Sequence, residues 1–183
     1  METNTYLKLK NKPQDNFPQF IVVHHSAATE NQSVQSIENY HLSLGWEGVG
    51  YQFLIDKFGV VWKGRPEHYH GAHVGEKDID GKKINDKSIG ICVIGDFDKK
   101  LPTQEQVSAL KTLLNELRLR YSIPLEKIVP HRHFLGNPPY KSCFGSLLKD
   151  GWARNLVATL VPVNSKEIIL KRLEEIIILV KEL

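Results

Sequence analysis

The 183-residue sequence predicts an α/β protein: a single domain built on a mixed central β-sheet flanked by helices, with a C-terminal helical appendage. Three observations lead there. Short runs of β-branched and apolar residues, FIVVHH and SIGICVIGDF, have the composition of buried strands. Stretches with apolar residues at helical spacing lie between the strands in irregular alternation, which favours a mixed sheet over an all-parallel one. Hydrophobic residues make up 41% of the chain, enough to bury a core.

Residues 1–17 are polar and read as an N-terminal arm; the domain proper is expected over 18–160. Its first strand covers 19–24. From Ser33 to Leu44, the residues Val34, Ile37, Tyr40 and Leu44 recur at helical spacing, and Gly45-Trp46 closes the helix. GVGYQFLIDKFGVVWKGR reads as two strands around a turn at Lys57-Phe58-Gly59. Residues 66–87 hold many Gly, Asp, Lys and His without periodicity and form a long surface loop, the kind of segment that carries function in a domain of this size. A strand returns over 88–96. Thr103 and Gln106 make a capping box for a helix in which Val107, Leu110, Leu113, Leu114 and Leu117 line one face, up to about Tyr121. Ile128-Val129 is a short strand entering the loop PHRHFLGNPPYKSC, and a further helix is expected over 147–160.

Residues 161–183 read as a hinge, Val161-Pro162-Val163, and an amphipathic helix. Ile169, Leu173, Ile176, Val180 and Leu183 form a heptad stripe, and Asn164 with Glu167 resembles a capping box. A helix this short is marginal alone in water. The hinge permits it to leave its domain, so a homo-oligomer through residues 164–183 is the expectation, with packing on the parent domain as the alternative.

A formal net charge of +3 with scattered Lys and Arg is too mild to indicate nucleic acid, and none is expected as a partner. No apolar run reaches transmembrane length, and the start of the chain lacks the apolar core of a signal peptide. The expectation is a product that is cytoplasmic when synthesised and that acts elsewhere only if a separate system releases it. Cys92 lies in an apolar strand and reads as a core thiol, whereas Cys143 lies in a loop; two such dissimilar sites do not indicate a disulfide.

The chemistry-bearing residues are the eight histidines and Cys143. Zinc takes three or four ligands, typically imidazole nitrogen and thiolate, and a catalytic site keeps one position open. The chain offers His24 or His25, His131 or His133, and Cys143, with no short knuckle spacing to support them. Neighbouring side chains of a strand point to opposite faces, so a single metal takes one of His24 and His25; geometry does not say which. His41, His68 and His70 read as packing or solvated residues. The charges of Lys63, Arg65 and Arg132 read as solvated, with attraction of peptide carboxylates as the alternative.

Five segments, in order over about residues 20–145, resemble the type 2 N-acetylmuramoyl-L-alanine amidases, the group that includes the T7-type phage lysozymes and the peptidoglycan recognition proteins. They are VVHHSAAT, NYHLSLGW followed by VGYQFLID, GAHV, NDKSIGICVIGDF, and PHRHF followed by KSC. The resemblance implies one Zn2+ per chain held by His24, His131 and Cys143. His25 then packs on the opposite face, and His133 is a peripheral or surface residue. Tyr51 and Lys141 match the family's catalytic tyrosine and the lysine of its phage lysozymes. His73 is expected to contact substrate, with a loop-fixing hydrogen bond as the alternative, and Asn85 and Ser88 shape the loop entering the strand. One departure stands out: some relatives have a glutamate general base where this chain has Cys92.

The implied activity is zinc-dependent hydrolysis of the amide between N-acetylmuramic acid and L-alanine in peptidoglycan or muropeptides, in the manner of a phage endolysin that reaches the cell wall through a separate lysis system. A non-catalytic peptidoglycan-recognition module and a cytoplasmic wall-recycling amidase are the alternatives. A serine or cysteine hydrolase using Ser26 or Cys143 is a weaker one, since no Gly-x-Ser-x-Gly elbow is present.

Overall fold

The computed structural model describes residues 16–78, 80–136 and 141–158. The hinge and heptad segment lie outside these residues, as does most of the N-terminal arm. The folded body includes Asn16, earlier than the expected boundary: its side-chain amide is buried and donates to the Glu67 and Ser88 carbonyls.

Among the described residues, five strands form one mixed sheet in the order β3-β2-β4-β1-β5. They are β1 (Phe20–His25), β2 (Phe53–Ile55), β3 (Val61–Lys63), β4 (Ser88–Val93) and β5 (Ile128–Pro130). β1 pairs in parallel with both β4 and β5, and β4 pairs in parallel with β2; only β3 runs antiparallel, as the far half of the β2–β3 hairpin. β1 and β4 are therefore interior strands, and their sequences are apolar on both faces, as strands covered on both sides require.

Among the described residues, three α-helices cover the sheet: α1 (Val34–Ser43), α2 (Gln104–Arg120) and α3 (Trp152–Ala158). α1 starts where the Ser33 side chain accepts the Ser36 N–H, and Gly45, at φ +82°, follows its end in the left-handed region that glycine enters without cost. The capping box of α2 is complete, with Thr103 and Gln106 bonded in both directions. One face of the sheet (Ile21, Val23, Phe53, Ile55, Ile91, Val93) packs under α2 and α3 with Leu110, Leu114, Leu117 and Val157. The other face is shared by Leu54 and Cys92, packed with Val34 and Ile37 of α1, and by a smaller cluster around Val22 and Val74.

The helix expected over 147–160 begins only at Trp152. Continuing it backward would require the Leu148 carbonyl to accept the Trp152 N–H; instead that carbonyl accepts from the Arg132 guanidinium, and the Trp152 N–H bonds Lys149. A side chain has taken the acceptor that a helix would have needed.

Candidate active site

The parallel register sets His24 beside Cys92 and His25 beside Val93 at the C-terminal end of the sheet. The two imidazoles of the doublet therefore leave on opposite faces. His24 is 1% exposed and lies on the α1 side. His131 follows directly on β5, the other neighbour of β1, and Cys143 comes over from the following loop. The ligand atoms of His24, His131 and Cys143 all lie within 4.8 Å of one another, and Cys143 Sγ is 3.7 Å from His24 Nδ1. Nitrogen and sulfur ligands of one tetrahedral zinc are about 3.5 Å apart, from bond lengths of roughly 2.0 and 2.3 Å. The donor set and its spacing fit zinc.

The outer nitrogen of each imidazole has a polar partner. His24 Nε2 lies 3.0 Å from His73 Nδ1, and His131 Nε2 lies 3.4 Å from Glu76 Oε2. His24 Nδ1 faces Cys143 Sγ. Burial drives the pKa of His24 well below the ordinary value, with the neighbouring His131 and His73 rings adding to it. Burial also lowers His131, opposed by Glu76. Both rings are thus neutral and ready to ligate at pH 7. Burial pushes the Cys143 thiol up to about 11, so it must give up a proton when a cation arrives.

Around the cluster stand the other expected residues. The Tyr51 ring is 5.1 Å from that of His24, centroid to centroid. Burial, followed by the thiols of Cys92 and Cys143, raises its hydroxyl well above 10. Lys141 is exposed, and its charge is felt at both His131 and Cys143. His73 is only 8% exposed and lies against His24 Nε2.

These geometries carry a known signature. The model of the N-acetylmuramoyl-L-alanine amidase family matches residues 14–146. The chain belongs to that family.

The endolysin of Escherichia phage T7 is 34% identical to this amidase over 146 residues, covering 76% of this chain and 88% of the relative; the endolysin of Klebsiella phage KP32 matches to the same extent. Among solved structures, the amidase LysC from Clostridium intestinale URNW has a TM-score of 0.71 at 25% identity, over 87% of this chain and 97% of that one. The ectodomain complex of peptidoglycan recognition proteins LCa and LCx, solved with tracheal cytotoxin bound, has a TM-score of 0.64 at 26% identity over 84% and 89% of the two chains.

Sequence reasoning placed two cations differently from the structure, Arg65 and Arg132. Arg65 is not solvated: it is 5% exposed and donates to the Val49 and His70 carbonyls, bracing the loop before His73. Arg132 is not a free cation either. Its guanidinium donates to the carbonyls of Ser142, Gly145 and Leu148 and pairs with Asp150, while its backbone N–H donates to the Cys143 carbonyl. His41 packs under Trp46 with ring centroids 4.6 Å apart and accepts the Gly50 N–H. His25 takes the packing role: it is 6% exposed, lies beside Phe97, and accepts the Phe97 N–H at Nδ1. His133 is exposed.

Two contributors went unseen in the sequence. Glu76 lies against His131 from 55 residues away, and Asp98 accepts from Ser142 Oγ and the Ser146 N–H, holding the Cys143 loop. Asp98 lies in GDFD just after β4, a turn-like string that gives no sign of its distant partners.

Proposed function

We propose that this amidase cleaves the bond between N-acetylmuramic acid and L-alanine as a zinc enzyme, with one Zn2+ per chain on His24, His131 and Cys143, and that it serves as a phage-type endolysin acting on peptidoglycan. The observation that carries this is the convergence of the three donors within 4.8 Å in a chain of the amidase family. When bound, zinc supplies an activated water at neutral pH and polarises the carbonyl under attack. The protein's own groups do the rest. Lys141 stabilises the negative charge that develops on the carbonyl oxygen, as a cation beside the cluster that does not ligate while protonated. Tyr51, with its hydroxyl held far above neutral pH, stays a phenol and donates a hydrogen bond to the same oxygen or to the leaving amine. Burial likewise raises the Cys92 thiol, so it does not replace the glutamate base of other family members.

The complete donor triad favours catalysis over a recognition module. The lysine beside the cysteine and the likeness to phage endolysins favour lysis over wall recycling. Among the described residues, no helix is long and apolar enough to cross a membrane.

Mass spectrometry of digested peptidoglycan tests the reading. The expected products are intact glycan and stem peptides with a free L-alanine amine, lost on chelation and restored by zinc. Glycan cleavage would overturn the amidase assignment; undiminished activity in zinc-free, chelator-treated protein would overturn the zinc part.

A further inference from the structure

The cluster of buried polar groups behind His24 has no part in the roles assigned above. Ser88 Oγ is 2.7 Å from the Ile84 carbonyl, which can only accept. The single hydroxyl proton of Ser88 is therefore spent there, and toward His73 Nε2, at 3.4 Å, Ser88 can only accept. His73 Nε2 must then carry the proton, which makes His73 Nδ1 an acceptor. The His24 Nε2–H donates to it, and His24 Nδ1 is left with its lone pair facing Cys143. Donation runs one way, from His24 through His73 and Ser88 to the Ile84 carbonyl.

The site is built around the His73 ring. A Cβ on Gly71 would come within 2.2 Å of His73 Cδ2, and one on Gly90 within 2.5 Å of the same atom. Neither glycine is at a positive φ, so space for the imidazole, and not backbone freedom, explains both. Asn85 Oδ1 accepts the backbone N–H of His73 and of Val74, each at 3.0 Å, which fixes the segment that carries the ring.

We propose that His73, set by Ser88, is a positioning residue that fixes the tautomer and angle of His24, so that Nδ1 is the metal-binding atom. GAH and SIG are then one device: two glycines to clear the space, a histidine to fill it, and a serine to set its proton. The proposal rests on the zinc reading for its consequence but not for its geometry. Partners of this kind are typically worth about 10- to 100-fold in metal affinity.

Two measurements test it. In the metal-free protein, 15N imidazole spectra should show both His24 and His73 as Nε2–H tautomers; an Nδ1–H tautomer at His24 overturns the proposal whether or not zinc binds. Zinc dissociation constants should then separate two variants of nearly equal size. His73→Leu removes the acceptor and should weaken zinc about 10- to 100-fold. His73→Asn keeps an oxygen where Nδ1 stood and should recover most of that loss. Equal weakening in both overturns the role as acceptor. Should His73→Leu fail to fold, the wild-type spectra decide alone. Failure of the wild type to bind zinc would sink the zinc reading but leave the tautomer assignment standing on its own spectra.

Discussion

The site has two halves that are held in different ways. His24 and His131 stand at the ends of adjacent parallel strands, and the ladder between β1, β4 and β5 places their Cα atoms before any side chain contributes. Cys143 has no strand beneath it. Its loop is fixed by side chains: Arg132 gathers the carbonyls of Ser142, Gly145 and Leu148, and Asp98 takes Ser142 Oγ and the Ser146 N–H. A strand end is rigid because many cooperative bonds would have to break together. A loop held by two charged residues depends on each of them. The difference teaches where the site can be weakened without unfolding the protein: the loop half can be loosened alone, while the strand half shares its hydrogen bonds with the core.

The largest effect is expected from removing a donor from either half. Cys143→Ala and His24→Ala should each abolish tight zinc binding and reduce hydrolysis to background. The thermal stability of the two metal-free variants should differ, because the His24 ring is enclosed in the body and the Cys143 side chain lies at its edge. Tight zinc retained in either variant, measured by metal analysis after dialysis, would remove that residue from the ligand set.

Lys141 separates catalysis from metal holding. Lys141→Ala should lower turnover by about two to three orders of magnitude, the usual consequence of losing one donor to a developing oxyanion, with zinc content unchanged. Loss of zinc in that variant would make Lys141 part of the loop's anchoring instead.

A smaller effect is expected from the clamp. Arg132→Met keeps much of the side chain's bulk and removes the donors to three carbonyls. Zinc affinity should fall about 10- to 100-fold, and amide hydrogen exchange should speed up over 142–150 while β1 and β4 keep their protection. Arg132→Lys should restore little, since an ammonium cannot reproduce the planar fork that reaches several acceptors. Equal loss of protection in loop and sheet would show that the two halves are not separable as described.

What could be read from the sequence follows the same division. The strands FIVVHH and SIGICV and the helix after Thr103 announced themselves through local composition, period and capping, because their partners along the chain are near or repetitive. The donors His24, His131 and Cys143 became legible through ordered motifs and not through spacing. What stayed hidden was the polar scaffolding. Asp98 reaches Ser142 across 44 residues, His24 reaches His73 across 49, and neither distance leaves a period or a signature in the chain. Arg65 and Arg132 read as ordinary surface charge because a buried guanidinium paired with backbone carbonyls uses partners that every residue possesses. The late start of α3 has the same origin, since the claim of Arg132 on the Leu148 carbonyl is visible only once the loop is folded.

The doublet at the end of β1 gives the smallest effect and the sharpest comparison, because its two rings differ by one residue and belong to different halves of the site. His25 touches the loop half indirectly. Its Nδ1 accepts the Phe97 N–H, the Phe97 carbonyl accepts the Leu147 N–H, and the next residue, Asp98, holds Ser142 and Ser146. Burial lowers the pKa of His25, which keeps the ring neutral and able to accept. His25→Ala leaves the Phe97 N–H without its acceptor, a loss of about 1–3 kcal/mol in stability for a buried donor. Zinc affinity should change by less than about tenfold, because both strand-held nitrogens stay in place and the effect reaches Cys143 only through the loop. His25→Asn places an oxygen near the position of Nδ1 and should recover part of the stability. Urea denaturation of the metal-free variants and zinc titration together read both quantities. If His25→Ala loses zinc as completely as His24→Ala, the division of the doublet into one ligand and one brace is wrong. If His25→Ala costs stability but not zinc, then adjacent identical residues perform unrelated tasks for one reason: a β-strand sends neighbouring side chains to opposite faces.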